Sequence, residues 1–381
     1  MTRTTPATTS GTTTRNPPAA TDRARGTLWG LAIGDALGMP TQMLSRAAIR
    51  ATLGELDGFR PAATDHPLAA GMAAGSVTDD TEQAVLLAHA LLAHDGHVDA
   101  AELAAALVAW EDDMRARGSL DLLGPSTTRA VAAVLAGVPA REAGRSGTTN
   151  GAAMRITPVG IVMPTDDLDA LVDRVVEASR VTHHTGVAIA GAAAVAAAVS
   201  AGIEGADVAA ATDVAIEAAR RGALRGSWVA AADVARRIRW AVDLVDRADP
   251  GRTLRDVEEL VGTSLATQES VPAAFALLAL HPDDPWRACL AAAAIGGDCD
   301  TIAAMAGAVA GACHGTAGFP AHAVATVRSV NALDLDPVAD ALVALRRTAR
   351  QQPAQRPGNQ RPGNQQPANQ QPGTPRPGAE R

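Results

Sequence analysis

Two short segments, 75–82 (GSVTDDTE) and 296–303 (GGDCDTIA), each set two aspartates and a threonine at the start of an alanine-rich run. Asp79, Asp80, Asp298 and Asp300, with the hydroxyls of Thr78 and Thr301, make an oxygen-only donor set. Such a set suits a hard divalent cation, Mg2+ or Mn2+. Either segment alone also fits an ordinary helix start, with Thr78 as cap and Asp79, Asp80 and Glu82 complementing the helix dipole. The repetition favours convergence on a cation. Carboxylates packed together repel and raise one another's pKa unless positive charge compensates. Gly296 and Gly297 supply the tight turn that would bring Asp298 and Asp300 to such a site.

Three further places carry polar residues in apolar or glycine-rich surroundings. Asp35 lies within the apolar segment 26–42, where a charge is rarely buried without a partner, so it either caps a neighbouring helix or supports the site. Asn150 and Gly151, in 148–160 (TTNGAAMRITPVG), favour a left-handed turn in a connecting loop whose amides could hold a phosphate or carboxylate. His183 and His184 follow Thr182 and precede a run of small residues, placed either structurally or to orient a ligand.

Composition removes several alternatives. The chain has 381 residues, a net charge of −8, 2% aromatics and no Tyr. An acidic, aromatic-poor chain offers neither a phosphate-binding surface nor a stacking platform for a nucleic-acid polymer. Every basic residue other than histidine is Arg, which excludes a Schiff-base lysine and a P-loop lysine. HExxH, zinc-type Cys/His clusters and GxSxG are all absent from the sequence. Cys289, Cys299 and Cys313 follow no CxxC spacing and point to a reducing, cytoplasmic setting. Residues 186–203 are long and apolar enough to span a membrane, yet consist mostly of Ala and Gly. A buried helix of a membrane-free protein is the expectation.

The elements that must position these residues read as helices. Periodicity predicts helices over 25–38, 79–95, 99–117, 127–136, 167–180, 186–203, 206–221, 228–245, 253–265, 271–280, 285–294, 300–314 and 336–349, and no confident strand. Thr78, Asp99 and Asp166 are the predicted caps of the second, third and fifth of these. Residues 1–22 are Thr-rich without an apolar segment, and 351–381 are Gln, Pro, Gly and Asn-rich; both are expected to be disordered. Residues 23–350 then form one all-α domain, in which antiparallel helices gather loops and helix N-termini at one end.

The ordered set GLAIGDALGMPTQ, GSVTDDTEQA, TNGAAMR, VTHHT and GGDCDTIAAMAGAVAGA resembles the ADP-ribosylglycohydrolase family, typified by dinitrogenase reductase-activating glycohydrolase, over about residues 24–345. The resemblance implies an all-α orthogonal helical bundle with a binuclear Mg2+ or Mn2+ centre. It also implies hydrolysis at ribose C1, releasing ADP-ribose from a modified protein or other acceptor. By the same resemblance Thr78, Asp79, Asp80, Asp298, Asp300 and Thr301 are metal ligands, and the four aspartates among them carry catalysis. Asp35 matches a buried aspartate behind the ligands. Asn150, Gly151, Ala152, Ala153, Met154 and Arg155 match the segment that holds the diphosphate and distal ribose, and His183 matches a Thr-His motif beside the site.

Two positions depart from the family pattern. Gln42 stands where many members have a Glu, and an amide can bind substrate but cannot shuttle a proton. Leu123, in 121–129, stands where some relatives have an aspartate base, with Asp121 close in sequence. The departures keep open an enzyme of the same fold acting on a free nucleoside or ADP-ribose derivative; a non-catalytic ADP-ribose-binding or crystallin-like protein is a further alternative, against which the six retained metal-ligand positions argue. A monomer is expected.

Overall fold

The computed structural model describes residues 19–119 and 123–351. In chain order its helices are α1 Ala20–Gly38, α2 Arg46–Leu53, α3 Asp79–Ala93, α4 Ala100–Ala116, α5 Pro125–Leu135 and α6 Ala140–Ala143. Then follow α7 Gly151–Arg155, α8 Thr157–Val162, α9 Leu168–Ser179, α10 Gly186–Ile203, α11 Val208–Gly222 and α12 Val234–Asp243. The last are α13 Pro250–Asp256, α14 Thr267–Leu280, α15 Pro285–Ala293, α16 Cys299–His314, α17 Ala321–Asn331 and α18 Asp336–Gln351. No strand occurs among the described residues, as periodicity predicts.

The centre of the bundle is the antiparallel pair α1 and α16. Gly26, Gly30, Gly34 and Gly38 recur every four residues and so line one face of α1. A methyl group on any of them would overlap the backbone of α16 or of the Gly315 turn after it: Gly26 against Gly311 and Gly315, Gly30 against Gly307, Gly34 against Ala303, Gly38 against Asp300. Gly307 and Gly311 meet the carbonyls of Gly30 and Gly26 in return. The two helices thus touch backbone to backbone, and the C-terminal end of α1 lies on the first turn of α16.

Helix α10 is the other central element, and every one of its residues is buried. It is long and apolar enough to cross a membrane, but all of that surface is covered inside the bundle. Gly191 admits Thr267 of α14, Gly202 admits Ala312 of α16, and Gly222 of α11 lies against Ala190 and Ala193. Arg23, 7% exposed, donates to the carbonyls of Gly202, Ala312 and Cys313, satisfying the C-terminal ends of α10 and α16 together.

Several boundaries differ from the sequence reading. Helix α1 begins at Ala20, inside the segment expected to be disordered, because its first turns pack on α16 and supply Arg23. The rest of that segment, 1–18, and of the tail, 352–381, lies outside the described residues. The predicted helix 228–245 shortens to α12, which starts only where Asp233 caps it by accepting from the Arg236 amide. The predicted 253–265 becomes α13 and a π-helical turn, Val257–Val261, stopped by Gly262 at φ 86°. Helix α9 is capped by Asp167 instead of Asp166. From Gly151 on, segment 148–160 is helical as α7 and α8, not a loop, and α2, α6 and α17 have no counterpart among the predicted helices. Asp99 caps α4 as expected.

The α1–α16 contact sets a stability prediction. Gly34→Ala places a methyl on the Ala303 carbonyl, where neither backbone can yield without separating the helices. We expect a loss of about 3 kcal/mol or more, read as a lower denaturation midpoint, whereas Gly58→Ala, in open space, stays within about 1 kcal/mol.

Candidate active site

The end of α1 and the starts of α3 and α16 meet at one point. Asp35, one turn from the end of α1, is fully buried and accepts from the starting turn of α3. Its Oδ2 takes the Thr78 amide at 3.0 Å, the Thr81 amide at 3.1 Å and the Thr81 hydroxyl at 2.5 Å. Its Oδ1 takes the Thr78 hydroxyl at 2.7 Å. Asp35 is therefore the cap of α3, supplied by another helix. Thr78, read from sequence as the cap, sits at the N-cap position, but its side chain makes no cap bond and turns to Asp35.

Within this frame the two acidic segments converge. The Thr301 hydroxyl lies 3.2 Å from Asp80 Oδ2, and Thr78 Oγ1 lies 3.5 Å from the same atom. Asp80 Oδ1 is buried with no hydrogen-bond partner. Burial pushes the Asp80 pKa well above the carboxylate range, and the charges of Asp79, Asp300, Asp35 and Asp298 push it further. All five aspartates therefore share one electrostatic neighbourhood.

Asp298, 6% exposed, receives Asn150 Nδ2 at 2.5 Å. Burial raises its pKa to about 6, and hydrogen bonds from Asn150 and Thr301 pull it back. Asp35 also reaches about 6, driven by burial and restrained by Thr81 and Thr78. The contrast with Asp80 follows from donors and from the neighbouring aspartate charges. Both are fully buried, but Asp35 has bonds to both oxygens, whereas Asp80 has hydroxyls near one oxygen and none on the other.

The loop carrying Gln42 is pinned to the Asp298 turn. Met43 donates its amide to the Gly297 carbonyl at 2.7 Å, and Gly297 donates to Leu44 at 2.9 Å. Gly296 and Gly297 take φ of 84° and 71°, the tight turn expected from the sequence. A methyl on Gly297 would also strike Thr263, whose carbonyl receives the Asp298 amide at 2.8 Å. Gln42 is 4% exposed, and its Nε2 has no partner. His66 holds this loop from the other side. Its Nδ1 accepts the Leu68 and Ala69 amides, so Nε2 carries the proton and donates to the Gln42 carbonyl at 3.0 Å.

The segment expected to hold a phosphate is built differently. Asn150 has φ −75°, Gly151 begins α7, and no left-handed turn forms. The Asn150 side chain is spent on Asp298 and on Ser270 Oγ, at 3.0 Å. Ala152, Ala153 and Met154 are buried within α7. Arg155, 1% exposed, points inward: Nη1 donates to Gln83 Oε1 at 2.9 Å and Nη2 to Thr182 Oγ1 at 2.5 Å. The side chains of Asn150 and Arg155 are thus turned to the acidic cluster and its support. The physical reason is compensation, since excess negative charge draws in the nearest donors.

His183 is fully buried between Thr149 Oγ1, 2.9 Å from Nε2, and Thr182 Oγ1, 2.7 Å from Nδ1. Burial, then the charges of Arg155 and Arg129, hold its pKa well below the ordinary histidine value, so the ring is neutral. Gly151 permits its approach, as a methyl there would stand 2.9 Å from the imidazole Cε1. His184, 4% exposed, takes Arg141 Nε at 3.2 Å on Nε2. Leu123 is buried and apolar, so no base stands there, and Asp121 lies outside the described residues.

Sequence reasoning missed Gln83, Thr81, Ser270, Thr149 and His66. The first two carried a signal, since both fall within TDDTEQ, and Gln83 is four residues from Asp79 on a predicted helix. Thr149 opens TNGAAMR, beside Asn150, whereas Ser270 and His66 lie in segments without a motif. Among the described residues no three His, Cys, Asp or Glu side chains form a ready metal cage. The hydroxyls of Thr78 and Thr301 and the open Asp80 Oδ1 are oxygen donors of the kind a hard cation takes.

An all-α bundle with a buried carboxylate and hydroxyl cluster at its helix ends defines the class, and comparison with known proteins gives the family. Residues 16–352 match the model of the ADP-ribosylglycohydrolases. The chain belongs to this family of glycosyl hydrolases acting on ADP-ribose. It is 36% identical to the uncharacterized protein YegU of Escherichia coli (strain K12), over 86% of this chain and 98% of that one. It is 29% identical to the ADP-ribosylarginine hydrolase Tri1 of Pseudomonas putida (strain GB-1), over 81% of this chain and 74% of the relative. A solved ADP-ribosylglycohydrolase-related protein complex shares the fold, with a TM-score of 0.62 at 24% identity, covering 86% of this chain and 99% of its own.

The buried carboxylates predict opposite effects of one substitution. Without divalent cation, Asp80→Asn is expected to raise the melting temperature at pH 7.5 by at least about 2 °C. Asp35→Asn, which puts donors against donors, is expected to lower it. The sign for Asp80 follows from linkage. A carboxyl with a raised folded pKa binds its proton more tightly in the native state, so ionisation is penalised above that pKa and the penalty vanishes below the unfolded value. The Asp80→Asn advantage should therefore close as the pH falls toward about 4; melting curves in chelator check both signs.

Proposed function

We propose that this protein is a divalent-cation-dependent hydrolase that cleaves the bond at ribose C1, releasing ADP-ribose from a modified protein side chain or another acceptor. The observation that carries the reading is the convergence of Asp79, Asp80, Asp298 and Asp300 with Thr78 and Thr301, including a buried Asp80 oxygen that has no donor. The relative named as an ADP-ribosylarginine hydrolase supports an ADP-ribosyl substrate.

Those six residues would hold two cations, Mg2+ or Mn2+. When bound, they would supply positive charge that organises ribose hydroxyls and a water near C1. The protein's own groups do the rest. Asp35 fixes the Thr78 hydroxyl and the start of α3, and Asn150 fixes Asp298. The acidic cluster stabilises the oxocarbenium-like ribose formed as the leaving group departs. Gln42 offers its free Nε2 to a substrate oxygen. It binds and orients, and cannot move a proton.

A second reading keeps the fold and the bond but takes a free nucleoside or ADP-ribose derivative as substrate. Gln42 and the buried Leu123 favour it, because by the family resemblance they stand where many members have a Glu and some have an aspartate. The values of kcat/KM on an ADP-ribosyl-arginine conjugate, an ADP-ribosylated protein and a panel of nucleosides decide between the two.

The combined Asp79→Asn and Asp298→Asn variant is expected to lose at least about a hundredfold in hydrolysis, and chelator should abolish wild-type turnover until Mg2+ or Mn2+ is restored. Full activity in that variant, or in chelator, would refute the mechanism. Gln42→Leu should raise KM about tenfold while kcat changes little, the pattern of lost uniform binding.

A further inference from the structure

We propose that Gln83 is a positioning residue for Asp79, held in one orientation by the buried guanidinium of Arg155. This rests on the reading of Asp79 as a cation ligand. Gln83, 1% exposed, lies one turn after Asp79 on α3. Its Nε2 donates to Asp79 Oδ2 at 2.9 Å, and its Oε1 accepts Arg155 Nη1 at 2.9 Å.

The direction of the amide is fixed by chemistry on both sides. A guanidinium only donates and an ionised carboxylate only accepts, so the Gln83 carbonyl must face Arg155 and its NH2 must face Asp79. Arg155 is itself locked. Thr182 Oγ1 receives its other nitrogen, His183 Nδ1 lies 2.7 Å from that hydroxyl, and Thr149 lies on the far side of the ring. A continuous chain thus runs from half-buried Thr149 through the buried His183, Thr182, Arg155 and Gln83 to half-buried Asp79.

The interposed amide has a consequence for charge. A buried cation requires a counter-charge, and the carboxylate that Arg155 feels is Asp79. Direct contact would tie that carboxylate to the guanidinium in a strong, often bidentate pair and withdraw it from a cation. Through Gln83 the positive charge is felt, while the arginine makes no claim on an Asp79 oxygen. Arg155 therefore acts on the site from behind the carboxylate.

The test uses the full chain with Mn2+ as probe. Gln83→Leu keeps the volume and removes both bonds; it is expected to weaken Mn2+ binding, by calorimetry, at least about tenfold, and to release the Asp79 carboxylate from its rotamer in a crystal structure. Because Gln83→Leu leaves Arg155 short of a partner, the double variant Gln83→Leu, Arg155→Met removes the buried charge as well. It should fold and show the same weak binding and the same release. Wild-type Mn2+ affinity in a folded variant, or Asp79 in its original rotamer, overturns the proposal. Should the wild-type chain itself bind no Mn2+, the cation reading fails separately, and the Asp79 rotamer in Gln83→Leu still decides whether Gln83 positions it.

Discussion

The structure depends on backbone contact between α1 and α16. Four glycines on one face of α1 meet the backbone of Gly311, Gly307, Ala303 and Asp300 on α16 so closely that no side chain fits between them. Dispersion and close packing at such a contact are specific in register, since sliding by one turn would set a methyl against a carbonyl. That register puts the last turn of α1, with Asp35, beside the first turn of α16, with Asp300 and Thr301. The remaining helices wrap this pair, and α10, clothed on all sides, fills the other half of the core.

The same contact creates an electrostatic problem that the surrounding polar groups answer unevenly. Asp35 is satisfied by two amides and two hydroxyls of α3 and serves as a structural cap. Asp80 keeps a bare buried oxygen and takes the repulsion of four other aspartates. One carboxylate thus supports the fold and the other stores unfavourable energy at the site, a trade that a binding site tolerates and a scaffold does not. Neutral donors are spent where they hold geometry, as Asn150 holds Asp298 and Gln83 holds Asp79.

Residues near the cluster divide by which way they face. His183 and Arg155 belong to its buried support, with nitrogens already occupied. Gln42 is different, because the loop that carries it is fastened by Met43 and His66 through backbone groups, which leaves the side-chain amide unengaged. A free buried donor beside a carboxylate cluster is suited to a hydroxyl-rich ligand, and its amide character limits it to binding.

Much of this was legible in the sequence. Periodicity marked the α class and most helices. The paired acidic segments, each at a helix start, marked Asp79, Asp80, Asp298 and Asp300, and Gly296 with Gly297 marked the turn between α15 and α16. These are local signals, carried by residues within a turn of one another. What the sequence could not contain was direction. Whether Asp35 capped a helix or faced the site, whether Asn150 opened to a phosphate or closed on Asp298, and whether Arg155 pointed out or in are decided by partners far along the chain; Thr301 and Asp80, for example, are 221 positions apart. Charge compensation is a property of the assembled neighbourhood, and only the packing of α1 on α16 brings that neighbourhood into being.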